Sequence, residues 1–241
     1  MEKKLKKIVV CALLLGSASA GANTITYTSS LLGPTQTDWG TSIGSANLSL
    51  PEFNTTLGVL TGAQFTLTGT TYGSITATAT SSTSIKSLTV ATTVYLFEPN
   101  GSTLIVSTAP TMTQTYGGIF GQSLSSGQSI TLSTPGYVSP SSLGSGTTLS
   151  NSNSYSLPSD LALFTGAGNL LLPVAAGGNS GYNGGSNINT SAFSAASALA
   201  SVTYTYSTPS NGGISLPEPA TLLLMGIGVL GMGFAATRRK S

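Results

Sequence analysis

Two stretches, Phe65-Thr66-Leu67-Thr68 and Ser74-Ile75-Thr76-Ala77-Thr78-Ala79-Thr80, alternate an apolar or small side chain with a hydroxyl at a period of two. Successive side chains of a strand point to opposite faces, so this spacing gives one greasy face and one wet face only if the backbone is extended. Ser87-Leu88-Thr89-Val90 running on to Val94-Tyr95-Leu96, and Val202-Thr203-Tyr204-Thr205-Tyr206, repeat the pattern. Shorter runs at Ser129 to Leu132 and around Leu161 to Phe164 are expected to be strands too. Pro99-Asn100-Gly101-Ser102 predicts a hairpin turn between Phe97 and Leu104-Ile105-Val106, because Asn-Gly takes a positive φ readily. Many short strands with Gly- and Pro-containing turns predict an all-β fold, an antiparallel β-sandwich of jelly-roll or Ig-like outline, with a barrel-like variant open. Three segments break the pattern: Ser139 to Ser159 and Gly177 to Asn189 are expected to be surface loops, and Ser207 to Ser215 a stalk. Ser194 to Ala200 is expected to form a short turn.

Chemistry is bounded by what the chain lacks. It has no His, and its single cysteine, Cys11, lies near the start. That removes Ser-His-Asp and Cys-His catalysis, histidine-based metal sites and, once the leader is cut away, disulfides. Between Asn23 and Leu216 the one cation is Lys86, against Asp38, Glu52, Glu98 and Asp160, a formal charge of about −3. A body of that charge is not expected to bind nucleic acid or an anionic membrane surface. The four carboxylates are scattered singly, which suits neither the paired acids of a glycosidase nor a calcium loop. No enzymatic role, metal or cofactor is expected.

Asp38-Trp39 reads in two ways, as an acid beside a sugar-stacking ring or as the sole Trp of an all-β core. With Tyr182 these residues form the candidate ligand surface, and a carbohydrate-binding module would place Tyr116 and Tyr137 on the same face. An ice- or crystal-binding surface is a further alternative. It would need Thr76-x-Thr78-x-Thr80 and Thr203-x-Thr205 aligned as a flat ladder across strands. A surface-anchored enzyme is the remaining alternative.

Both termini carry addresses. Lys3, Lys4, Lys6 and Lys7, the apolar run Ile8 to Leu15, and the small residues Ser17-Ala18-Ser19-Ala20 make residues 1–22 a secretory signal peptide for signal peptidase, with Ala18 and Ala20 setting the cut. Near the other end, Pro217-Glu218-Pro219 precedes an uninterrupted apolar run and then Arg238-Arg239-Lys240. A helix over 220–237 spans about 26 Å at ~1.5 Å per residue, short but workable for one membrane crossing. The GIGVLG inside it has the spacing of a dinucleotide-binding turn, yet no second strand or ribose-binding acid is expected before Ser241. The cationic cluster stays cytoplasmic, so the body, 23–206, is expected outside with a linker over 207–216.

Leu216 to Lys240 resembles the PEP-CTERM sorting signal of Gram-negative bacteria, with its Pro-Glu-Pro, one short span and basic tail over 217–241. The resemblance implies processing by an exosortase after export, transient anchoring in the inner membrane, and company with exopolysaccharide or biofilm. Alternating prolines suit the task, since they hold the chain extended and present Glu218. The body shows a second resemblance. Ile25-Thr26-Tyr27-Thr28, Thr37-Asp38-Trp39, Leu48-Ser49-Leu50-Pro51-x-Phe53 and Leu57-Gly58-x-Leu60-Thr61 resemble the opening of the bacterial choice-of-anchor E domain. Asp160-Leu161-Ala162-x-Phe164-Thr165-Gly166-x-Gly168 and the closing Val202 to Tyr206 are similar to its later part. Asp38 stands where we associate that family with asparagine. The resemblance implies a surface domain attached to various anchors, without a ligand or reaction. The expectation is a noncatalytic surface or extracellular-matrix protein, and its low charge adds self-association through poorly guarded strand edges.

Overall fold

In the computed structural model, which describes residues 22–40 and 46–208, extended backbone dominates. The strands in chain order are β1 (Asn23–Thr28), β2 (Leu32–Gln36), β3 (Asn47–Pro51), β4 (Val59–Ala79), β5 (Thr83–Phe97), β6 (Leu104–Thr108) and β7 (Thr111–Thr115). They continue with β8 (Gln122–Leu124), β9 (Ser129–Ser133), β10 (Thr147–Tyr155), β11 (Asn169–Gly178), β12 (Gly181–Gly184) and β13 (Ile188–Ser207). The leader, residues 41–45, and the linker, sorting motif and apolar span from 209 on lie outside the described residues.

The long strands organise everything else. β4 alternates buried and outward side chains without a break from Ala63 to Ala79, as its hydroxyl pattern demands. It pairs antiparallel with β13 along nearly its whole length, from Val59 opposite Ser207 to Ala79 opposite Ile188. β10 and β9 follow one another along the far side of β4, and β1 and β2 along the far side of β13. In the second antiparallel sheet β5 is central, with β12 and β11 on one flank, β3 joined to β11, and β6, β7 and β8 also paired to β5. The turn from β5 to β6 forms as its residues predict: Gly101 has φ 72°, and the Asn100 Oδ1 accepts from the N–H of Ser102 at 2.8 Å and of Thr103 at 3.0 Å.

Side chains of both sheets meet in one large apolar cluster. Phe65, Leu67, Val202 and Tyr204 come from the first sheet, and Leu50, Leu96, Leu172 and Val174 from the second. Each such side chain contributes about 1.5–3 kcal/mol on leaving water. Tyr204 is fully buried, with its ring edge-on to Phe53 at 5.6 Å and its hydroxyl donating to the Pro51 carbonyl at 2.9 Å. Burial, then the nearby Glu52 charge, pushes its phenol well above the ordinary range, so it remains a donor. A second cluster gathers Ile75, Ile85, Leu88, Val90, Leu124 and Leu132.

Four local expectations are corrected. Within Ser139 to Ser159, residues Thr147–Tyr155 form β10, although no apolar alternation marks them. Their outward hydroxyls bond to those of β4 instead, which substitutes for burial as the reason to be extended. Gly177 to Asn189 is the end of β11, the short β12 and the start of β13 rather than a long loop. Ser194 to Ala200 is the middle of β13: Ala195, Ala196, Ser197 and Ala198 are all buried, so period two is invisible there. The run around Leu161 to Phe164 is helical, Pro158–Leu161 followed by a 3-10 turn at Ala162–Phe164. Pro158 starts it, and Leu161 and Phe164 are buried at i, i+3 while Leu163 is exposed.

The edges are guarded differently from what the low charge suggested. β10 ends its sheet, and at this margin Asn151 and Asn153 each make two bonds. Their Nδ2 groups donate to the carbonyls of Ser107 and Ile105 in β6, both at 2.9 Å, and their Oδ1 atoms accept from the N–H of Ser152 and Ser154, both at 2.9 Å. Two carboxamides thereby tie the sheets together and occupy strand-edge groups that would otherwise recruit another chain. Changing both to alanine is expected to cost about 1–3 kcal/mol from the released backbone groups. It should also make association concentration-dependent, as read by denaturant unfolding and light scattering.

Candidate functional site

The outward face of the first sheet carries rows of hydroxyls along β4 and its neighbours β9 and β10. Along β4 it presents Gln64, Thr66, Thr68 and Thr70, then Tyr72, then Ser74, Thr76 and Thr78. Register sets a matching residue beside each. Thr66 meets Ser152 at 2.8 Å, Thr68 meets Ser150 at 2.8 Å and Thr70 meets Thr148 at 3.0 Å. Farther along, Thr76 meets Thr131 at 2.8 Å and Thr78 meets Ser129 at 2.7 Å, while Thr26 meets Thr203 at 2.9 Å on the other flank. Rows repeat at roughly 4.8 Å across strands and about 6.6 Å along them.

What can such a face do? A hydroxyl has one proton and two lone pairs, so a bonded pair still offers one donor and three acceptor sites outward. No charged side chain stands among these rows. The surface therefore makes many weak neutral hydrogen bonds rather than one strong one.

The residues singled out in the sequence are not assembled into a face. Asp38 adopts φ 69°, a left-handed conformation that Asp and Asn tolerate, and its Oδ1 accepts from the Gly178 N–H at 3.3 Å. Its own N–H donates to the Ala176 carbonyl at 2.8 Å, and the Ala176 N–H donates to the Trp39 carbonyl at 3.0 Å. Asp38-Trp39 thus extends the second sheet beside β11. Trp39 is half-buried against the main core, and its Nε1 is buried without a partner among the described residues. Tyr182 is exposed on β12 opposite Leu88, whereas Ala176, the partner of Trp39, lies opposite Val94. Six residues of β5 separate those positions, roughly 20 Å at about 3.3 Å per residue. Tyr116 packs on the second cluster with its hydroxyl buried, and Tyr137 stacks on Phe193 at 6.0 Å. The rings are dispersed, which counts against an aromatic sugar platform.

The carboxylates are likewise engaged one by one. Glu52 accepts from the Gly168 N–H at 2.9 Å, and Ser159 donates to Asp160 at 3.1 Å. Glu98 is buried and accepts from Asn100 at 3.2 Å and from the Tyr155 hydroxyl at 3.4 Å. Burial, followed by the Glu98 charge, raises the Tyr155 phenol. Sequence reasoning missed the Ser150-x-Ser152-x-Ser154 side of the hydroxyl rows. The signal was present as alternation of Ser with Asn, but it lacked the apolar residues that mark a strand.

Comparison with known proteins addresses the other end of the chain. Residues 215–240 match the PEP-CTERM protein-sorting motif. The chain carries a PEP-CTERM sorting signal. That signal indicates an exported protein, transiently anchored in a membrane and processed by an exosortase before release at the surface. Among the described residues no helix is long and apolar enough to cross a membrane, and the expected span at 220–237 lies outside them. No curated protein matches the chain. Among solved structures, the chain is similar to that of the T13 viral particle of infectious bursal disease virus, at 11% identity and a TM-score of 0.18, covering 78% of this chain and 36% of that one. The VP2 subviral particle of the same virus gives 10% identity, a TM-score of 0.19, and coverage of 78% and 38%. This chain thus spans little more than a third of those viral-particle chains, and so loose a likeness transfers nothing to it.

Proposed function

We propose that the PEP-CTERM chain is a noncatalytic component of the extracellular matrix of a Gram-negative bacterium, released by its exosortase to associate with exopolysaccharide in a biofilm. Its body is a β-sandwich of the choice-of-anchor E type. The observation that carries the reading is the uncharged outer face of the first sheet, whose hydroxyl rows suit a hydrated, hydroxyl-rich polymer. The leader is cut near Ala18 and Ala20, and Pro217, Glu218 and Pro219 are read by the exosortase while Arg238, Arg239 and Lys240 hold the tail on the cytoplasmic side. The aligned Thr and Ser rows also favour a second reading, an ordered-water or ice surface.

Fractionation of the native host tests the first reading. The processed protein is expected to sediment with the matrix and to become soluble in a strain that makes no exopolysaccharide. A protein that is soluble in both strains, or that slows ice growth while ignoring the matrix, would overturn it.

A further inference from the structure

The outer face has one gap, at Gly62. Register shifts between Thr205 and Tyr206, which lie opposite Gly62 and Leu60, so Thr61 is the extra residue of a bulge. Its hydroxyl donates to the Thr205 carbonyl at 3.0 Å. Bulges re-aim side chains and end regular pairing, and glycine inside a strand marks backbone strain or a place kept open for a neighbour. The two other glycines inside β4 show such constraints. At Gly73, φ is 143° and a Cβ would run into the Phe193 carbonyl; at Gly69 it would press on Thr108 and Val94. Gly62 has neither constraint. A Cβ there would meet Thr205 Cβ at 3.6 Å and the Tyr155 carbonyl oxygen at 3.7 Å, ordinary contacts. The backbone would accept a side chain at this position, and the chain leaves a hollow.

That hollow has a volume of about 240 Å³ and is lined by Gln64, Ser154, Tyr155, Thr203 and Thr205. Its chemistry is neutral throughout. Gln64 Nε2 lies 3.4 Å from the Ser154 hydroxyl, which leaves the carboxamide oxygen and a second N–H to reach outward. An amide offering an acceptor and a donor side by side fits two adjacent hydroxyls of a sugar ring. Among the described residues no ammonium or guanidinium faces the hollow to hold a carboxylate or sulfate, so charge selects against acidic sugars. From here the paired rows of β4 and β10 lead away at about 6.6 Å intervals along the strand, a track for the rest of an extended polymer.

We infer that the Gly62 hollow is a subsite for one neutral pyranose unit of a polysaccharide chain laid along β4. The inference rests on the matrix reading for the class of polymer, while the hollow itself fixes the preference for a neutral sugar.

Affinity electrophoresis of the processed, secreted protein in gels containing hydroxyethylcellulose, dextran or alginate tests it. Retardation is expected in a neutral glucan and not in alginate. Gly62→Leu fills the hollow and should weaken binding about tenfold, with Gly62→Ala intermediate, while Thr113→Val, exposed on β7 in the second sheet, leaves it unchanged. Melting curves of the variants show that each is folded. Equal retardation of Gly62→Leu and unaltered protein, or retardation in alginate alone, would overturn the subsite and leave the matrix reading standing. If the unaltered protein is retarded neither by these polymers nor by its host's own exopolysaccharide, both readings fall.

Discussion

Glu218→Ala is expected to leave the chain in the membrane at full mass, whereas the unaltered protein yields a tail-less species outside. The argument is local. Proline is a poor helix former and disfavours helix in the residue before it, and Glu218 is the one charged residue of Pro217-Glu218-Pro219, so on the proposed reading it is the group the protease recognises. Losing a charge-assisted contact costs about 2–3 kcal/mol, roughly a hundredfold in the rate of processing. Glu218→Gln keeps the shape and separates charge from fit. Intact-mass analysis of membrane and extracellular fractions reads the outcome directly. A tail-less product of Glu218→Ala in ordinary amounts would mean that recognition lies in the span or the basic cluster.

Phe65→Ala is expected to be the most damaging single change in the body. Phe65 is fully buried, its ring 4.7 Å from Phe164 and 6.0 Å from Tyr155, in the cluster that both sheets share. Removing such a ring typically costs 3–5 kcal/mol, about half of what holds an ordinary domain folded. Thr66→Ala, one residue away, faces outward and loses only the bond to Ser152, so about 0.2–1 kcal/mol is expected. Urea midpoints of the two variants measure the contrast. Similar losses would mean that β4 does not divide inside from outside at this point.

That contrast also shows where the sequence was legible. β4, β5 and the C-terminal end of β13 announced themselves because burial on one face leaves an alternating trace in the residue types. The trace fails where burial is not one-sided. Ala195 to Ala198 are covered on both faces, and β10 is held by hydroxyl and carboxamide bonds that use the same Ser and Asn as a flexible loop. Leu161 and Phe164 were too few residues to tell a period of two from one of 3.6. The sorting motif at 215–240 was legible because it is one contiguous stretch of sequence. A binding face is different, since its rows exist only when residues some 80 positions apart, such as Thr68 and Ser150, are set side by side. Asp38 is a further case: its φ of 69° is a left-handed conformation that Asp tolerates, and no linear pattern announces it.

The carboxamides of Asn151 and Asn153 have a consequence for life outside the cell. Proteins commonly shield their margins with lysines, whose repulsion fades as salt rises within a Debye length. This body has a single lysine to offer. An amide carries no charge, has no proton to lose across the range of natural waters, and is indifferent to screening ions. Its guard over the sheet margin is therefore as effective in brine or acid seepage as in fresh water. A secreted protein meets whatever medium surrounds the colony, and this one keeps its margin closed without asking what that medium is.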